Sequence, residues 1–73
     1  MSRPTMKKLQ STLIDCVWYD RKRKILHIKF TTGHYYVYDN VSYYRYWKLR
    51  KSESAGRYFR QYIRENYRYS RLE

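Results

Sequence analysis

Between Leu26 and Tyr38 the chain alternates. Leu26, Ile28 and Phe30 are apolar at every second position, with His27 and Lys29 between them, the signature of a strand buried on one face. Aromatic residues resume directly after Gly33, so the stretch predicts a β-hairpin around which the rest of the chain packs. Loop length decides which tyrosines face inward, because a slip of one residue moves every side chain to the other face. A three-residue loop, Thr31-Thr32-Gly33, gives the glycine the left-handed position such loops need and sets Phe30, Ile28 and Leu26 opposite His34, Tyr36 and Tyr38. A two-residue loop, Thr32-Gly33, would turn Tyr35 and Val37 inward instead, but threonine is a poor choice for the positive φ at its first position. The three-residue register is the expected one.

Upstream, Ser11 to Tyr19 is rich in β-formers without clean alternation; a bulge near Cys16 resets the parity and brings Ile14 and Val17 to one face. Asp20 to Lys24 is a polar reversal with four consecutive cations. Downstream, Ser42 is the expected N-cap of a helix from Tyr43 to about Lys51, with Tyr46 and Leu49 on its apolar face and Arg45, Lys48 and Arg50 or Lys51 elsewhere. Ser52-Glu53-Ser54 supplies a second cap signal, and Arg57 to Tyr67 resumes a helical period with Phe59, Tyr62, Ile63 and Asn66 or Tyr67 as its stripe. Arg57, Arg60 and Arg64, at spacings of three and four, would stack along one solvent-facing ridge. Met1 to Gln10 reads as a flexible basic arm and the residues beyond Tyr69 as a fraying tail, leaving a single domain over 11–69.

This order predicts an α+β fold, a three-stranded antiparallel β-meander followed by two helices packed on one face. The other face of the sheet would then present His27, Lys29, Tyr35 and Val37, with Trp18 from the first strand.

Seventy-three residues allow one domain with a modest core. Eleven tyrosines, two tryptophans and two phenylalanines can fill it densely while phenol groups reach water at the rim. The single Cys16 forms no internal disulfide, and a reducing, cytoplasmic setting fits best. No apolar run reaches bilayer-spanning length and no secretory segment opens the chain, so membrane association is not expected.

Charge changes the picture most. Seventeen Lys and Arg against six Asp and Glu give +11, a self-repulsion that an acidic partner would relieve. Nucleic acid is the first expectation, since each engaged cation releases condensed counterions; an acidic protein is the second, and plain solubility of an aromatic-rich surface the third. Trp18 and Tyr35 beside Lys29 could stack bases while Arg21, Lys22, Arg23 and Lys24 neutralise phosphates, as single strands are bound without strong sequence preference. The plainer alternative is that Trp18 pairs with Tyr35 across strands and shields the sheet. The Arg57, Arg60, Arg64 ridge fits phosphates or simply solvent.

Catalysis is not expected. His27 and His34 have opposite parity and so face opposite sides of the sheet, which rules out a shared metal. Cys16 has no pattern-linked base, the acids show no paired spacing and the two glycines form no phosphate loop. No cofactor and no small-molecule substrate are implied. Tyr36, Tyr38, Tyr46, Tyr58, Tyr62 and Tyr67 read as core residues.

Ser11, Ile14, Val17, Tyr19-Asp20, then Leu26-x-Ile28-x-Phe30-x-x-Gly33-x-x-Tyr36-x-Tyr38-x-x-Val41 resemble the KTSC domain, found at the C-terminus of some lysyl-tRNA synthetases and as small stand-alone proteins. Tyr46, Leu49, Ser54-x-Gly56-x-Tyr58-Phe59 and Ile63-Arg64-x-x-Tyr67 continue the match to about Tyr69. The association with a tRNA enzyme suggests RNA. The chain departs from the family pattern at Ser42, where proline is usual, at Trp18, where a small residue is usual, and at Tyr43, Tyr44 and Trp47, where polar residues are usual. These surplus aromatics suit an interface, because tyrosine, tryptophan and arginine anchor protein contacts. The expected function is a small RNA- or single-strand-binding module; the alternative is a small bacterial or phage regulator docking on an acidic protein through Tyr43, Tyr44 and Trp47.

Overall fold

A computed structural model of the chain describes residues 7–9 and 11–73. Five strands and two helices follow in order: β1 Lys7–Lys8, β2 Ile14–Asp20, β3 Ile25–Phe30, β4 Tyr35–Tyr38, α1 Tyr43–Lys51, α2 Ala55–Tyr62 and β5 Tyr69–Arg71. The strands form one antiparallel sheet in sequence order. The fold is α+β as the pattern predicts, with the meander β2–β4 at its centre and short strands added at both edges.

The hairpin has the expected register. Leu26 pairs with Tyr38 and Ile28 with Tyr36, the Phe30 amide donates to the His34 carbonyl, and Gly33 sits at φ +97. Space is open where a Cβ would project from Gly33, so the requirement for glycine there is one of backbone conformation alone. The register of β2 on β3 shifts between Ile14 and Cys16, and that bulge puts both Ile14 and Val17 in the core.

Both helices cover one face. Leu26, Ile28 and Tyr38 from the sheet close on Tyr46 and Leu49 from α1, on Ala55 and Phe59 from α2, and on Ile63. Ser42 caps α1 by accepting from the Arg45 amide (3.2 Å), and Ser54 caps α2 by accepting from the Arg57 amide (3.4 Å). The Tyr19 hydroxyl donates to the Val41 carbonyl, tying the central sheet to the lead-in of α1.

Four expectations are corrected. Within the segment read as a flexible arm, Lys7–Lys8 pairs with Val17 and Cys16 as an edge strand; the rest of that segment lies outside the described residues except Leu9, which packs against the core. The second helix starts earlier and ends at Tyr62, because the Ile63 and Arg64 amides both donate to the Phe59 carbonyl and the Asn66 side chain caps the Tyr62 carbonyl; Ile63 itself turns into the core. Tyr62 is consequently 44 % exposed rather than a core residue, packed on Tyr58 at 4.6 Å between ring centroids. The tail does not fray: Tyr69–Arg71 pairs with β4, and the Tyr69 ring lies against Tyr36 and Tyr38. A bare β4 edge would leave its backbone groups open, and β5 supplies their partners. No described helix is long and apolar enough to cross a membrane.

Candidate nucleic-acid interface

Parity along β2, β3 and β4 sends Trp18, His27, Lys29, Tyr35 and Val37 to the face that neither helix covers. Trp18 stands opposite His27, their rings 4.8 Å apart and tilted by 59°. His27 lies diagonally beside Tyr35, with 2.8 Å between Nδ1 and the phenol oxygen. The sequence reading paired Trp18 with Tyr35 or left both presented; the structure makes a three-ring row with His27 as its middle member. All three side chains are half-buried, so the row is a fixed platform. Burial holds the His27 imidazole below its ordinary pKa, with the Asp20 carboxylate acting the other way.

The cationic loop borders this platform. Asp20 Oδ1 accepts from the backbone amides of Lys22 and Arg23 (3.1 Å each), which folds the turn and occupies the one carboxylate at its base. Lys24 closes it at φ +55, and its carbonyl accepts from the Val41 amide. Arg21, Lys22, Arg23 and Lys24 are all exposed. The Arg21 guanidinium sits 4.5 Å from the centroid of the Tyr43 ring, close enough for a cation–π contact. Lys29 is cross-strand from Tyr35 on the same face. The loop thus adjoins the Trp18 and His27 end of the row, with its Arg21 turned to Tyr43 on the helix side, while Lys29 stands at the Tyr35 end on the open face.

The predicted arginine ridge does not survive as a ridge. Arg57 and Arg60 lie on α2, but Arg64 is past its end. Arg57 and Arg60 border a hollow with Ser11 and Leu13, whereas Arg60 and Arg64 border a larger groove on the helix side of the sheet with His34 and Tyr69. Neither lining includes Trp18, His27, Lys29 or Tyr35.

The surplus aromatics also divide. Tyr43 packs edge-on to Tyr19 and beside Tyr46 under Arg21. Tyr44 and Trp47, 60 % and 41 % exposed, instead border a groove between the helices with Lys48, Lys51, Tyr58 and Tyr62. Arg45, expected off the apolar face of α1 on its basic back, turns instead toward α2. Its Nη1 donates to the Tyr58 hydroxyl (2.9 Å), its guanidinium lies 5.1 Å from the Tyr62 ring centroid, and hydrogen bonding to the Tyr58 and Tyr67 hydroxyls raises its pKa above the ordinary value. Its spacing from Tyr46 and Leu49 could not reveal this, because the partner rings belong to α2 and the turn after it.

Residues 10–67 match the model of the KTSC domain family. A protein from Stutzerimonas stutzeri (strain A1501), described as uncharacterised, is 33 % identical over 66 residues, spanning 89 % of this chain and 93 % of that protein. The crystal structure of a KTSC domain protein from Yersinia pestis superposes with a TM-score of 0.88 at 23 % identity, covering 94 % of this chain and 97 % of that one.

Proposed function

The chain belongs to the KTSC domain family, and from that premise we propose that it is a small cytoplasmic nucleic-acid-binding module without enzymatic activity, directed to RNA or other single strands. The observation that carries this reading is the Trp18, His27, Tyr35 row with Lys29 on the uncovered sheet face, at one end of which the exposed Arg21 to Lys24 loop joins β2 to β3. Aromatic rings on an uncovered sheet face can stack unstacked bases, and nearby cations neutralise the phosphates between them. Duplex DNA is less suited, since neither helix carries the arrangement of a major-groove reader. The fold by itself is silent on partner, because one fold hosts many functions.

A second reading has its own support. Tyr44, Trp47 and Tyr62 are exposed around a groove whose rim carries Lys48 and Lys51, the composition of an anchor site for an acidic protein. Binding of single-stranded RNA as a function of salt decides between them. Phosphate contacts make log affinity fall linearly with log salt, steeply between about 50 and 200 mM. Equal, weak binding to heparin and RNA at low salt, with no saturable RNA complex, rejects the nucleic-acid reading.

A further inference from the structure

The groove between the end of α2 and the β4–β5 pair is separate from the open sheet face and has no role in the reading above. It measures about 630 Å³, within the range of small-ligand sites. Its floor is aromatic: the Tyr36 and Tyr69 rings lie 5.5 Å apart, and Tyr38 lies beneath both. Tyr69 is 54 % exposed, so one ring face is available from solvent. Arg60 and Arg64 stand on the wall, both exposed, and among the described residues neither forms an ion pair with a carboxylate.

The groove also concentrates hydrogen-bond donors. Burial pushes the Tyr38 phenol well above its ordinary pKa, the nearby phenols of Tyr36 and Tyr69 push it further, and Arg64 pulls it back. The Phe59 carbonyl at the helix end is already bonded to two amides, which blunts the repulsion an anion would otherwise meet at a helix C-terminus. Glu65 is the one acid at the rim, and it disfavours a bare anion while leaving an acceptor for a base amino group or a ribose hydroxyl.

We propose that this groove binds a nucleoside phosphate, its phosphate held between Arg60 and Arg64 and its base laid on the Tyr36 and Tyr69 rings. Guanidinium pairs bind phosphate through directed, charge-assisted bonds, and aromatic faces accept any base. The same chemistry is presented by a free nucleotide and by the phosphorylated end of a strand.

The test is an NMR titration of the full chain with adenosine 5′-monophosphate, adenosine and orthophosphate, followed by a short RNA with and without a 5′-phosphate. Saturable binding of the monophosphate is expected, tighter than either adenosine or orthophosphate, with cross-peaks from base protons to the Tyr36 and Tyr69 rings. The double variant Arg60→Gln/Arg64→Gln should weaken it by at least about tenfold with an unchanged melting temperature. Replacing Arg21, Lys22, Arg23 and Lys24 by serine should leave monophosphate binding intact while reducing RNA affinity, so failure of the groove and failure of the sheet-face reading are separable. A preference for the 5′-phosphorylated RNA, lost in the double variant, identifies a strand end as the ligand; equal binding of both RNAs beside tight monophosphate binding identifies the free nucleotide. No saturable monophosphate binding, orthophosphate binding as tightly as the monophosphate, cross-peaks to other rings, or unchanged affinity in the double variant overturns the proposal.

Discussion

On the uncovered face of the sheet, His27 Nδ1 lies 2.8 Å from the Tyr35 hydroxyl. With the ring neutral the phenol can donate to that nitrogen; a protonated ring makes Nδ1 a donor and forces the phenol to turn its hydrogen away.

This contact makes stability depend on pH in a definite direction. Burial lowers the folded-state pKa of His27 below its ordinary 6.5, against the opposing pull of Asp20, so below 6.5 the unfolded chain binds the proton more readily than the folded one. The contribution is therefore complete above that value and is lost as pH falls from it toward the folded pKa. Melting temperature measured between about pH 7.5 and 5 should fall more for the wild type than for His27→Gln. Parallel curves for the two proteins would refute the linkage.

Gly33→Val should destabilise the fold by roughly 1 to 3 kcal/mol, since a β-branched residue cannot comfortably hold a left-handed turn position. At φ +97, with open space around the missing Cβ, the cost is backbone strain and not a clash. Gly33→Ala should consequently lose about 1 kcal/mol despite its small side chain. Urea denaturation measures both, and an alanine variant as stable as the wild type would contradict the loop geometry.

Tyr38 is 3 % exposed and touches Phe59, Tyr36 and Tyr69. Its replacement by alanine should cost on the order of 3 to 5 kcal/mol, the usual range for removing a buried aromatic ring. A loss below about 1 kcal/mol on chemical denaturation would mean the four-ring cluster contributes little to the core, roughly the level of a surface change.

Removal of the residues after Arg68 should destabilise the protein by about 2 kcal/mol through lost cover over Tyr36 and Tyr38, and should also promote self-association through the bared edge of β4. Thermal melts and sedimentation velocity read the two effects. A truncated chain as stable and monodisperse as the full one would restore the view of this segment as a loose tail.

The two proposed binding surfaces can be separated by mutation. Trp18→Ala or Tyr35→Ala should each lower single-strand affinity by about 1 to 3 kcal/mol with the salt slope nearly unchanged. Tyr44→Ala and Trp47→Ala should leave RNA affinity unaltered, while serines at 21–24 should flatten the slope by up to about three units, about 0.7 per cation on a single strand. RNA affinity that follows the helix variants and ignores the sheet variants would move the site to the α1–α2 groove.

The sequence by itself determined the parts whose physics is local. Strand alternation and the glycine of a three-residue loop set the central hairpin's register, the displaced Ile14 and Val17 located the bulge, and Ser42 fixed the start of α1. It also assigned Trp18, His27, Lys29 and Tyr35 to one face, because strand parity follows from register. Tertiary structure decided what depended on distant partners. Tyr69–Arg71 carries no strand pattern strong enough to read alone and becomes a strand because the edge of β4 accepts it. Arg45 is drawn between the helices by tyrosines on a different element. Gly56 meets Leu13 at 3.3 Å from an ideal Cβ position, a close approach across 43 residues that no window of sequence contains. The meeting of Arg60 and Arg64 with Tyr36 and Tyr69 around one groove likewise arises only when the chain turns at Ile63, since helical periodicity alone would have carried Arg64 along the ridge instead.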